Sequence, residues 1–130
     1  MILVDTSVWI DYLRGTDHPA VDALTDAIER DEDVRITEPI VMELLSGLVR
    51  RENAAGVEAL ANGLPVLPLD ARLDFRHAAE LAVASARNGH QIRSLVDCVI
   101  ASVAIRNDVP LLHKDRDFDY LAEISPLRFA

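Results

Sequence analysis

Two kinds of apolar pattern alternate along this chain. Met1–Asp5 is continuously apolar until it ends on an acid, the pattern of a strand buried on both faces. Ser7–Arg14 has Val8, Trp9, Tyr12 and Leu13 on one side and stops at Gly15, so a short helix is expected. Pro19 suits the first turn of a second helix running to about Arg30, with Val21, Leu24, Ala27 and Ile28 at helical spacing. Val34–Thr37 reads as a second strand, and Thr37-Glu38-Pro39 opens a helix through about Arg50. Asn53–Asn62 predicts another helix, and Pro65–Leu69 a short third strand. Asp70 is placed to cap a long helix, Ala71–Asn88, which Ala78, Ala79, Ala82, Ala84 and Ala86 make thin. After a loop at His90–Arg93, Leu95–Asn107 is an apolar helix suited to an interior, and Leu111–His113 is a fourth strand. A final short helix starts at Asp117, and Leu127–Phe129 is expected to add an edge strand.

Strands that alternate with helices favour a parallel sheet covered by helices on both faces. No repeat, low-complexity tract or linker divides the 130 residues, so residues 1–130 are expected to form one domain.

Composition narrows the picture. Half of the residues are apolar, which excludes disorder, and no apolar run approaches the ~20 residues that span a bilayer. Met1 leads straight into the first strand, so no cleavable signal peptide is expected and a cytoplasmic location is the default. The single cysteine, Cys98, lies in an apolar helical stretch and reads as a small core residue. Net charge is −9, from 22 acidic and 13 basic residues. That balance argues against a general nucleic-acid binder and suits a basic partner. It leaves room for an enzyme that grips a phosphate backbone through metal ions and a few arginines.

Four acids stand where a folded chain disfavours them. Asp5 and Asp115 lie just past two strand ends, Glu43 sits in the apolar run Ile40–Leu45, and Asp97 in Leu95–Ile100. Each alone has an ordinary reading: a turn residue or helix cap for Asp5, Asp97 and Asp115, an exposed position for Glu43. Together they are more specific. Sites in open α/β sheets form at the carboxyl ends of strands, and helices that follow parallel strands begin at that same edge. Like charges gathered in a fold require a positive partner, and oxygen ligands without His or Cys suit Mg²⁺ or Mn²⁺. One or two such ions with room for water and substrate form the usual apparatus for phosphodiester hydrolysis.

Asp5 at the end of strand one also fits the nucleophile of an aspartyl-phosphate-type phosphatase, or the phosphorylated acid of a receiver-like signalling domain. Both expect a further acid close after the first strand, and Ser7 stands there instead.

The segments Ile2–Ile10, Glu38–Leu44, Ser94–Ala101 and Leu111–Phe118, in this order and over nearly the whole chain, resemble the PIN domain. The likeness is strongest to its VapC toxins of type II toxin–antitoxin (VapBC) systems. That resemblance implies a three-layer α/β/α PIN-like fold with a central, mainly parallel sheet of four to five strands. It implies a Mg²⁺-dependent endoribonuclease toxin acting on tRNA, rRNA or mRNA, neutralised by a cognate VapB-type antitoxin, and a homodimer. Carried over, Asp5, Asp97, Glu43 and Asp115 are the catalytic metal ligands, with Asp117 as a substitute or outer member. Thr6 or Ser7 adds a hydroxyl contact. Ser7, Arg93, Lys114 and Arg116 are candidate RNA contacts. Trp9 and Tyr12 read either as core or as part of an antitoxin groove. His113 departs from the family, which usually carries Thr there.

Overall fold

The computed structural model describes residues 1–130. Eleven elements follow one another: β1 (Ile2–Val4), α1 (Thr6–Arg14), α2 (Pro19–Glu29), β2 (Val34–Arg35), α3 (Glu38–Ser46), α4 (Leu48–Glu52), α5 (Ala54–Gly63), α6 (Ala71–Arg87), α7 (Leu95–Arg106), β3 (Leu111–Leu112) and α8 (Arg116–Glu123). The sheet has the order β2-β1-β3 and is parallel throughout, with Ile2 opposite Val34 and Leu3 opposite Leu111. The crossover from β1 to β2 and the crossover from β2 past β1 to β3 run in opposite directions along the sheet. Right-handed crossovers then lie on opposite faces, which gives helix layers on both sides of the sheet.

The sheet is narrower than the sequence implies. The expected strands Pro65–Leu69 and Leu127–Phe129 contribute only single parallel bridges, Ile36 to Val66 and Leu111 to Phe129. Proline and a captured N–H account for the first. Pro65 has no N–H, and the Leu69 N–H is taken by the Glu38 carboxylate at 2.8 Å, so the pairing is limited to Ile36 N–H on Pro65 O at 3.1 Å and Leu67 N–H on Ile36 O at 2.7 Å. The expected helix through Arg50 also divides. Gly47 takes extended angles (φ −86°, ψ 170°), and a Cβ there would stand 2.9 Å from the Glu43 carbonyl oxygen. Only glycine lets the chain turn away so close to the preceding helical turn.

One apolar cluster fills the interior, and α7 runs through it with every residue from Asp97 to Ala104 buried. Cys98 lies there unpaired, with burial pushing its thiol up to about 11. Thin α6 packs on α7 through Ala78, Leu81 and Ser85. No helix is long and apolar enough to cross a membrane.

A buried ionic network also joins α6 to α7. Asp74 is fully buried and accepts from Ser102 Oγ (2.8 Å), Arg106 Nε (3.0 Å), Arg106 Nη2 (2.9 Å) and Asp70 N–H (2.8 Å). Burial alone would raise the Asp74 pKa, but these donors and the Arg106 charge hold it below the usual carboxylate range. Removing one partner of such a pair strands the other. Arg106→Ala is therefore expected to cost about 3 kcal/mol in urea unfolding, with an Asp74→Leu/Arg106→Leu double variant recovering much of the loss. Unchanged stability in Arg106→Ala would refute this role.

Candidate metal centre

Local structure delivers each acid to the carboxyl edge of the sheet. Asp5 continues the β1 ladder through its N–H on Leu112 O (2.9 Å) and then caps α1. This fixes it beside the end of β3, where the directions of the crossovers diverge. Asp97 lies in the first turn of α7, and Asp115 caps α8 with Asp117 just inside that helix. Helix N-termini favour these charges. Glu43, deeper in α3, is half-buried and reaches β1's end through a 2.7 Å hydrogen bond from Thr6 Oγ1. Asp5, Asp97 and Asp117 are 3%, 7% and 2% exposed, so three ionisable carboxyls are almost removed from solvent.

A common pattern joins the tethered acids. Asp5 Oδ2 accepts from Ser7 N–H (3.0 Å) and Ser7 Oγ (2.5 Å). Asp115 Oδ1 accepts from Asp117 N–H (3.0 Å) and Arg93 Nη2 (3.0 Å), and Asp117 Oδ2 from Arg93 N–H (3.1 Å) and Nε (3.3 Å). On each acid the protein holds one oxygen and leaves the other. The remaining oxygen of Asp5, Oδ1, is buried without any partner. The Ser7 contacts hold the Asp5 carboxylate in one orientation, as outer contacts do for a metal ligand.

Asp97 feels the charge of the other four acids, although Asp5 and Glu43 stand outside its tightest group. Burial, then the charges of Asp5, Asp115, Glu43 and Asp117, push the Asp97 carboxyl up to about 8. Burial raises Asp5 too, opposed by the Ser7 hydrogen bonds and reinforced by Glu43. Asp97, Asp115 and Asp117 each offer an oxygen within 4.8 Å of the others. An all-oxygen donor set with an orphaned, buried carboxylate oxygen fits a hard divalent cation, which would relieve both the repulsion and the desolvation. Asp117 thus stands with the principal acids; the Asp115-x-Asp117 spacing was its only signal in the sequence.

Ser7, Arg93, Lys114 and Arg116 line one open groove of about 460 Å³ together with Asp115, Ile10 and Asp11. Arg116 is exposed there, whereas Lys114 Nζ is engaged by Asp11. The Thr6–Glu43 and Lys114–Asp11 contacts join residues far apart in sequence and left no pattern to detect. Trp9 is fully buried and forms core, so it lines no groove; Tyr12, half-buried, packs edge-on against it at 5.7 Å. His113 packs against Phe118 and Phe129 and meets Asp119 at 3.4 Å, turned toward α8 and the β3 edge.

The PIN-domain family model matches residues 2–124. The VapC ribonuclease Mb1587 of Mycobacterium bovis is 42% identical over 131 residues, covering 100% of this chain and 98% of that relative. Among solved structures, VapBC2 from Rickettsia felis bound to a promoter DNA fragment aligns with a TM-score of 0.74 at 16% identity, covering 100% of this chain and 98% of that one. VapBC-5, a toxin–antitoxin member from Mycobacterium tuberculosis, aligns at 0.69 and 25% identity over 98% of this chain and 95% of that one.

A carboxyl raised in the folded state contributes its stability below its unfolded pKa and loses it as pH rises through the folded value. For Asp97 that window runs from its ordinary value of 3.8 to about 8. Thermal unfolding of chelator-treated protein is therefore expected to shift to lower temperature between pH 5 and 8. Asp97→Asn should flatten that trend and gain about 1–3 kcal/mol at pH 8. A wild-type Tm that rises over this range would contradict the pocket's electrostatics.

Proposed function

This chain belongs to the PIN-domain family, and on that premise we propose that it is a Mg²⁺-dependent endoribonuclease toxin, with residues 1–130 acting as one PIN unit. The observation that carries the reading is the convergence of Asp5, Glu43, Asp97, Asp115 and Asp117, four of them with one oxygen tethered and one left over. The 42% identity to a VapC ribonuclease along the whole chain supports RNA as substrate. The family match sets aside the phosphatase and receiver readings of Asp5.

Asp5, Asp97, Asp115 and Asp117 would hold the ion, with Glu43 a ligand directly or through water; Mn²⁺ is a substitute of similar chemistry. A bound ion supplies Lewis-acid charge at the scissile phosphate and lowers the pKa of water. The residues do the rest. Thr6 turns one oxygen of Glu43 inward, leaving the other to orient the attacking water and accept its proton. Ser7 fixes Asp5 and, through a 3.2 Å hydrogen bond from Lys114 N–H, ties the ends of β1 and β3 together. The water oxygen joins phosphorus, one P–O bond breaks, and the departing oxygen takes up a proton. Arg93 and Arg116 stand in the open groove where a single-stranded or looped RNA backbone can enter.

The toxin–antitoxin membership of VapBC-5 and the net charge of −9 support control by a VapB-type antitoxin with a basic segment. Tyr12, on α1 and only half-buried, is the candidate contact for such a partner. Action in the cytoplasm as a homodimer completes the reading; its substrate is tRNA, rRNA or mRNA.

Incubation with total RNA is expected to give discrete fragments with Mg²⁺ and none with chelator. Asp5→Asn and Asp97→Asn should each lower the rate by at least roughly 100-fold while keeping the wild-type circular dichroism spectrum. Full cleavage by either variant, or cleavage in chelator, overturns the proposal.

A further inference from the structure

Arg93 holds an unusual position for a groove-lining cation. Its side chain is 70% exposed, yet it makes ion pairs with Asp117, which is buried, and with Asp115, at 3.3 and 3.0 Å. The same two acids supply oxygens to the cluster that fits a divalent ion. Its guanidinium and that ion therefore act on the same negative charge.

The contacts are of two strengths. The Arg93 N–H donates to Asp117 Oδ2 at 3.1 Å, which fixes the loop before α7 to the start of α8 whatever the side chain does. The side-chain bonds face solvent on the arginine side, where water and salt screen them. A divalent cation carries twice the charge, and two of the carboxylates it would meet, Asp97 and Asp117, are buried, where screening is weaker. Exchange of the guanidinium for the ion is thus favourable and leaves the loop in place. The released side chain stays in the groove it shares with Arg116.

We propose that Arg93 is an exchangeable counter-cation: it neutralises Asp115 and Asp117 in the ion-free protein, yields them to the divalent ion, and then offers its guanidinium to a substrate phosphate in the groove. The exchange rests on the reading of these acids as a metal centre, and the last step alone on the nuclease reading.

Removing the arginine leaves the ion with less competition. Calorimetric titration of chelator-treated protein with Mn²⁺, without RNA, is expected to give roughly three- to tenfold tighter binding for Arg93→Gln than for wild type. The ion-free Arg93→Gln protein should also melt earlier, because Asp115 and Asp117 lose their only cationic partner. Arg93→Lys keeps a point charge but not the forked geometry, and should fall between the two. Arg128→Gln changes net charge equally from its pairing with Asp108, and should bind Mn²⁺ as wild type does. In cleavage assays Arg93→Gln should raise KM for RNA about tenfold with a smaller change in kcat. Unchanged or weaker Mn²⁺ binding by Arg93→Gln and Arg93→Lys overturns the exchange, and an unchanged KM overturns the phosphate step. Tighter Mn²⁺ binding in a protein that cleaves no RNA upholds the exchange and overturns the ribonuclease reading.

Discussion

Repulsion among carboxylates in a poorly hydrated pocket is the constraint on which this structure turns. Asp5, Asp97 and Asp117 are nearly buried, Asp115 and Glu43 adjoin them, and burial with this shared charge drives Asp97 to a pKa of about 8. A fold stabilised by only a few kcal/mol tolerates such a feature when something offsets it. Helix N-termini, the Ser7 and Thr6 hydroxyls and the Arg93 guanidinium each supply part of the offset. A divalent cation supplies the remainder, takes over the share of Arg93, and turns the strain into chemistry.

The scaffold is arranged to sustain that strain. Strands of two or three residues are enough, because their task is to bring the ends of β1 and β3 side by side. Rigidity comes from α7, which passes through the core, and from its connection to α6 through Asp74, Ser102 and Arg106. The two acidic systems differ in purpose. Asp74 has every demand met by fixed donors, and its pKa falls; Asp97 has no such donors, and its pKa rises. One is structural ballast, the other a site.

Much of this was legible in the sequence for a physical reason. Buried parallel strands ending on acids and amphipathic helices with proline in the first turn are local signals, and they located β1, β3, α3, α7 and the acids upon them. What escaped were properties of distance and of backbone chemistry. Pro65 and the capture of Leu69 N–H by Glu38 reduced an expected strand to one bridge, and Gly47 divided a helix that its apolar spacing made continuous. Trp9 offered two readings because helical spacing marks an apolar face without saying what covers it; the core does. The grip of Arg93 on Asp115 and Asp117 spans more than twenty residues and leaves no periodic trace.

The direct test is an anomalous diffraction map from crystals of the protein soaked in Mn²⁺. A peak bonded to carboxylate oxygens of Asp5 and Asp97 and of Asp115 or Asp117 is expected if the acids are a metal centre. A map with no peak among these acids, or with Mn²⁺ bound only elsewhere, would contradict it.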